Sequence, residues 1–205
     1  MELAQNFEKL YTIIMEQESV CEQNHTYKVE EKESSLHLNI VENVTGNRLK
    51  TLSSVLKSYF TMENIEENCF ECNSVKRLQR RAVCGPDILV LQLKRFSNVE
   101  IDDKIVIQKE DHEIYIDNQI YFADNEYVLR SFISHRGSEC TSGHYTCIGI
   151  CEQTGLSFCA DDDKVRPISQ DGMFKLLKAS YVLLYERKVE ELKEDLGKLV
   201  SKKEN

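Results

Sequence analysis

Ser142-Gly143-His144-Tyr145-Thr146 opens one short strand-like segment of this chain, and Cys159-Ala160-Asp161-Asp162-Asp163-Lys164-Val165 closes the next. Between them lies Thr154-Gly155, a pair with turn chemistry. If the two segments pair as a hairpin about that turn, the end of the second returns to the mouth of the first. Asp161 then comes within reach of the far ring nitrogen of His144. A histidine at a strand mouth, preceded by a residue without a side chain, is well placed as a general base, because another backbone can approach it closely. On chemistry alone a bland alternative stands beside it: a lone histidine is usually structural, and consecutive aspartates are usually a solvated turn.

Outward from this hairpin the same patterning recurs. Leu36–Val41, Asp87–Phe96, Tyr127–His135, His144–Cys151 and Ser180–Arg187 alternate or run apolar and are rich in β-branched or aromatic residues, which predicts strands. Gly85-Pro86, Arg136-Gly137 and Gly155 supply turns. From Leu49 to Phe60 the apolar positions Leu49, Leu52, Val55, Leu56, Tyr59 and Phe60 share one helical face. The expected class is α+β, a mostly antiparallel sheet with a few helices. No repeat or Gly/Ser/Pro linker divides the chain, so residues 1–187 read as one folded unit and 188–205 as a tail. In that tail Val189, Leu192, Leu196, Leu199 and Val200 among Lys and Glu predict a two-faced helix, either solvated or held by a partner helix.

Composition bounds the function. The 205 residues are 41% hydrophobic and 30% charged with only 8 Gly and 2 Pro, which excludes a disordered or low-complexity chain. Lys+Arg 26 against Asp+Glu 35 leaves a net charge of −9, against phosphate neutralisation and hence against nucleic acid as a partner. Met1 to Glu18 has acids in place of a basic n-region and no long apolar run. Neither a signal peptide nor a membrane span is expected, and the protein is expected inside the cell, in cytoplasm and/or nucleus. The 8 cysteines accordingly read as reduced thiols, two of them at the metal-like spacing Cys69-x-x-Cys72.

The ordered series of motifs is more specific than any one of them. It runs through Cys69-Phe70-Glu71-Cys72, Pro86–Phe96, Tyr127-Val128-Leu129 and His135-Arg136-Gly137. It continues with Gly143-His144-Tyr145, Asp161–Val165 and Ala179–Arg187. From about Ser19 to Arg187 the chain resembles the C-terminal part of the ubiquitin-specific proteases (ubiquitin carboxyl-terminal hydrolases, papain-like cysteine peptidases). The resemblance implies a fingers-and-palm portion lacking the thumb, and cleavage of the bond between ubiquitin's C-terminal glycine and a lysine. It implies His144 as general base, Asp161 as the residue orienting it and Asp162 assisting nearby. Gly143 and Tyr145 would flank the channel for ubiquitin's Gly-Gly tail. No cofactor is implied in the chemistry, and ubiquitin or ubiquitinated proteins are the implied partners.

Two departures from the family pattern matter. The nucleophile belongs in a Gly-Asn-Thr-Cys type motif opening a helix far upstream of the finger cysteines, and none precedes Cys21 in this sequence. Of the other thiols, Cys147 should face away from His144, and Cys140 has no helix N-terminus before it to lower its pKa. Cys84, Cys151 and Cys159 read as small buried residues. The chain alone is therefore expected to be inactive, and a non-catalytic ubiquitin-binding module is the alternative. In the finger, Cys21, Cys69 and Cys72 fall at ligand positions, but the family's fourth position is Asn24, with His25 adjacent. Either His25 completes a structural zinc set, or the finger has lost its metal and closes by strand pairing. A third reading, Cys69-Cys72 as a redox or zinc adaptor with the terminal helix as its partner surface, accounts for little of the chain. The missing thumb predicts exposed apolar surface on the palm, and with it a partner or self-association.

Overall fold

A computed structural model describes residues 8–42, 45–101, 104–137, 139 and 142–188. Along the chain stand β1 (Ile13–Cys21), β2 (Thr26–Glu33), β3 (Leu36–Asn39), α1 (Leu52–Phe60), β4 (Glu63–Asn68) and β5 (Val75–Cys84). Then come β6 (Ile88–Lys94), β7 (Phe96–Ile101), β8 (Lys104–Lys109), β9 (Gln119–Phe122) and β10 (Asn125–Arg136). The chain continues through β11 (His144–Ile150), β12 (Ser157–Asp161), β13 (Lys164–Ile168), α2 (Gln170–Lys178) and β14 (Ser180–Arg187). The strands form three sheets. One has the order β2-β1-β5-β4; another runs β13-β12-β11-β10-β14-β6-β3 with β9 against β10; β7 and β8 pair with each other. Every pairing among these strands is antiparallel except β3 with β6.

The larger sheet follows from one-sided burial. In β6 Leu89, Leu91 and Leu93 are buried, and in β10 Tyr127, Leu129 and Phe132 turn to the same core. Leu36 and Leu38 of β3, Ile148 of β11 and Leu183 and Tyr185 of β14 complete it, covered by Leu52 and Val55 of α1 and Met173 and Leu177 of α2. Each such side chain taken out of water contributes roughly 1.5–3 kcal/mol before entropy is counted. Ile13 and Met15, at the root of β1, enter this core as well and anchor the smaller sheet to it.

The strands expected at Leu36–Val41, Asp87–Phe96, Tyr127–His135, His144–Cys151 and Ser180–Arg187 all form, with ends moved by up to a few residues. The helix begins at Leu52 and not at Leu49, because Thr51 caps it: its Oγ1 accepts the Ser54 N–H at 3.1 Å while Ser54 Oγ takes the Thr51 N–H at 3.3 Å. Leu49 still joins the core from the preceding turn, where its N–H bonds the Ile40 carbonyl at 2.9 Å. The expectation of small buried cysteines holds for Cys159 alone. Cys84 is exposed and Cys151 half-buried, since β5 passes a register shift near its end and Cys151 sits in the turn after β11. The expected tail helix and Cys140 lie outside the described residues.

Arg95, between β6 and β7, is 2% exposed and donates only to main-chain carbonyls. Its Nε bonds Ser180 O at 2.7 Å, Nη1 bonds Glu110 O at 3.1 Å and His112 O at 2.9 Å, and Nη2 bonds Lys178 O at 2.9 Å. One side chain thus ties the end of α2 and the start of β14 to the segment leaving β8. Burial lowers its pKa to about 10, partly opposed by Asp111, so it remains a cation at neutral pH.

Candidate active site and metal centre

The β11–β12 hairpin forms with Ile148 opposite Cys159 and Cys147 opposite Ala160. Its turn closes through Gly155, at φ +67°, whose N–H bonds the Cys151 carbonyl at 2.8 Å. The register brings the last residue of β12 back to the first of β11, and His144 Nε2 hydrogen-bonds Asp161 Oδ1. An ionised carboxylate only accepts, so the ring proton sits on Nε2 and the Nδ1 lone pair is left available. The His144 bond holds the Asp161 carboxyl below the ordinary carboxylate range against some desolvation, helped by the positive charges of Arg166 (3.6 Å away) and Arg136. Asp162 follows in the β12–β13 turn at φ +51°. Its carboxylate, that of Asp161 and the His144 ring offer ligand atoms within 4.8 Å of one another.

Gly143 and Tyr145 stand on either side of the histidine along the strand. Gly143 has φ +143°, and a side chain there would meet the His135 ring and the Arg136 carbonyl. Tyr145 is 49% exposed, with its ring 4.6 Å from that of His135 and 6.2 Å from that of Tyr181. Among the described residues no thiol hydrogen-bonds His144. Cys147 lies exposed on the same strand, at a position of opposite parity. A cavity of about 440 Å³ lies elsewhere, where His37, Asn39 and Lys94 meet Tyr59 and Arg80, and none of Gly143, His144, Tyr145 and Asp161 lines it.

At the far end of the smaller sheet two turns face each other. Asn24, at φ +63°, turns the chain after β1 so that His25 comes back over Cys21, with the His25 N–H 3.3 Å from Cys21 Sγ. Asn73, at φ +57°, does the same after Cys69 and Cys72. Cys21 Sγ is 3.5 Å from Cys72 Sγ, and His25 Nδ1 is 3.5 Å from Cys69 Sγ, so all four ligand atoms lie within 4.8 Å. Burial opposes ionisation of Cys69, but Tyr27 Oη, the Cys72 and Glu71 main-chain N–H groups and His25 outweigh it and lower its pKa to about 6. Glu71 Oε2 stands 3.4 Å from His25 Nε2, an outer carboxylate that directs Nδ1 inward. Three thiols and one imidazole with this spread fit a tetrahedral zinc ion.

A family model described as ubiquitin carboxyl-terminal hydrolase matches residues 3–185. The chain belongs to that family. Among curated relatives, ubiquitin carboxyl-terminal hydrolase 36 of Drosophila willistoni is 31% identical over 154 residues, covering 66% of this chain and 11% of that protein. Ubiquitin carboxyl-terminal hydrolase 21 of Arabidopsis thaliana is 27% identical over 151 residues, 68% of this chain and 20% of that protein. This member of the hydrolase family thus spans about a tenth to a fifth of the length of these relatives. Among solved structures, a chain of the yeast SAGA DUB module with Sgf73 superimposes with TM-score 0.75 at 25% identity, over 88% of this chain and 42% of that one. A SAGA Ubp8/Sgf11/Sus1/Sgf73 module bound to ubiquitin aldehyde gives TM-score 0.69 at 25% identity, with the same coverage. The mostly antiparallel palm with its finger sheet is the fold of these hydrolases.

The ordered motifs led to His144 and Asp161, and the finger spacing to Cys69 and Cys72. Sequence reasoning gave His135 no role of its own: it stood as the end of a strand and as the first residue of one motif in the ordered series. Its one signal was its place in His135-Arg136-Gly137, at the turn leading toward Gly143. No helix of the described residues is long and apolar enough to cross a membrane.

Proposed function

We propose that residues 1–187 are the fingers and palm of a cysteine-type deubiquitinase, with His144 as general base and Asp161 as its orienting carboxylate. The hydrogen bond between His144 Nε2 and Asp161 Oδ1 carries this reading. With Nε2–H held, Nδ1 can take the proton of a thiol as its sulfur attacks the carbonyl of ubiquitin's last glycine. The imidazolium that results is stabilised by Asp161 and then protonates the departing lysine amine. Gly143 and Tyr145 line the approach, where a tail of two glycines lets backbones meet. Asp162 sits beside the pair. The finger holds a structural zinc ion on Cys21, His25, Cys69 and Cys72, which fixes the two turns and takes no part in the chemistry.

The thiol is the missing part. The Gly-Asn-Thr-Cys type motif is absent from these 205 residues, and no described thiol bonds His144. On this reading the 205 residues bind ubiquitin without hydrolysing its conjugates, and joining them to a segment that carries the motif gives hydrolysis. Titrating this chain into labelled ubiquitin should shift ubiquitin resonances, and a ubiquitin-amide reporter should be cut only by the longer product. A longer native form without activity would favour the second reading, a module that binds ubiquitin and shields it. Absence of shifts at high concentration would sink both. The solved relative bound to ubiquitin aldehyde supports ubiquitin as partner. The protein acts in cytoplasm and/or nucleus, where its thiols stay reduced. Residues 188–205 and exposed apolar side chains such as Ile105 and Ile107 of β8 are the places for a further protein partner or self-association.

A further inference from the structure

We propose that His135 is a positioning residue for His144: its buried imidazole seats the Ser142-Gly143 backbone that presents the base, an inference resting on the roles of His144 and Asp161 proposed above. The β10–β11 register sets His135 opposite Tyr145 and Arg136 opposite His144, so the two histidines occupy adjacent rungs. The His135 ring is 5% exposed, with the Tyr145 ring 4.6 Å away and the Phe96 ring 5.6 Å away. Gly143 bears on it from another side. A Cβ on Gly143 would fall 2.2 Å from His135 Nε2 and 2.7 Å from Arg136 O, so the main chain lies against the ring edge with no room between.

Hydrogen bonding fixes the ring's state. Nδ1 is buried without a partner, and the Ser142 main chain favours the protonated ring, as a carbonyl facing the other nitrogen, Nε2, would. A carbonyl is an acceptor, so Nε2 carries the proton and donates. Burial first, then the Lys109 ammonium, hold the ring below the ordinary imidazole range, with Asp111 opposing, so it is neutral at physiological pH. The Lys109 ammonium also donates to the His135 and Gly137 carbonyls and clamps the strand end from outside. At φ +143° Gly143 occupies backbone space that other residues rarely take, and such a conformation persists where its surroundings over-determine it. Here the surroundings are the His135 ring and Gly137, whose own added Cβ would lie 3.0 Å from Gly143 Cα. His144 is the next residue, so freedom at Gly143 becomes misalignment of the Nε2–Asp161 bond.

The test uses the 205-residue chain labelled with nitrogen-15 at histidine. The readouts are the tautomer of His144 and the exchange of its Nε2 proton with water. The wild type should show the Nε2–H tautomer and a low-field, slowly exchanging proton, both lost in Asp161→Asn. His135→Leu, which fills the space without the donor, should speed exchange about tenfold, the effect of losing one ordinary hydrogen bond's worth of order. His135→Gln, which can place an amide donor where Nε2 stood, should restore the slow rate. Wild-type exchange retained in His135→Leu overturns the positioning role and leaves the His144–Asp161 pair standing. Absence of the low-field proton from the wild type overturns the pair, and the positioning role with it. If His135→Leu does not fold, Gly143→Ala probes the same contact from the main-chain side. There too fast exchange is expected, and wild-type exchange would overturn the inference.

Discussion

Replacing Arg95 by methionine keeps most of the apolar stem and removes five donors at once. The structure limits the damage to particular atoms. Lys178 O keeps the Ile114 N–H at 3.1 Å and Ser180 stays in the ladder opposite Ser134, whereas Glu110 O and His112 O have no other donor among the described residues. Two stranded carbonyls at about 1–3 kcal/mol each give roughly 2–6 kcal/mol. Releasing a desolvated guanidinium returns part of this, as its lowered pKa of about 10 indicates. A net loss of about 2–4 kcal/mol is expected, a large share of the 5–15 kcal/mol typical of a folded domain. For a chain of this size that is a fall in melting temperature of roughly 5–15 °C. Urea and thermal unfolding followed by circular dichroism measure it. Arg95→Lys should recover little, because an ammonium has three donors and no planar fork to span four carbonyls. A loss below about 1 kcal/mol in Arg95→Met would refute the assignment of these carbonyls to the guanidinium.

Other outcomes follow from the same geometry. Protein prepared without chelator should retain one zinc ion per chain by atomic absorption, and Cys69→Ser or chelation should release it and lower the melting temperature; an apo protein with unchanged melting would count against the metal. Tyr127 Oη donates to the Pro86 carbonyl at 2.7 Å, so Tyr127→Phe should cost about 1–1.5 kcal/mol. Gly85→Ala should cost more, because its Cβ would lie 2.3 Å from that hydroxyl, and Tyr127→Phe should relieve part of the loss; strict additivity would contradict this. Asp161 has a depressed pKa, so the stability it adds is present above its unfolded value near 3.9 and is lost as pH falls through the lower folded value. A carbon-13 titration should find its carboxyl still ionised where a free aspartate is half protonated, and Asp161 titrating normally would remove the His144 bond as the cause. His135, also depressed, adds stability above its unfolded value near 6.5 that is lost on acidification, because the unfolded chain takes up a proton there first. His135→Gln should flatten that part of the stability-pH curve relative to wild type; parallel curves would contradict it.

Legibility followed burial. β6, β10 and β14 could be read because each buries one face fully and half-buries the other, so they run apolar and β-branched on both sides, as short core strands do. In the finger sheet β2 and β4 are edge strands exposed along most of their length, and Lys and Glu fill both faces. With nothing to bury, no period arises, and these strands exist because β1 and β5 offer them main-chain partners. β8 falls among the strand-like runs that break the polar stretch Asn98–Asn125, although its apolar Ile105, Val106 and Ile107 are exposed.

The site divides in the same way. By itself the sequence determined the hairpin carrying His144 and Asp161, the Cys69-Cys72 spacing and the family, because these depend on residues close along the chain or on motif order. Tertiary structure alone decided that Asn24 takes a left-handed turn and so delivers His25 to the thiols. It alone decided that Arg95 collects carbonyls from two stretches distant in sequence, 110–112 and 178–180, and that His135 lies against Gly143 with Lys109 clamping from β8. These contacts join groups distant in sequence, and a buried arginine or histidine looks in a sequence like any other. What gives each its role is the set of carbonyls, rings and glycines that folding places around it, where the absence of water makes every unmet polar group costly.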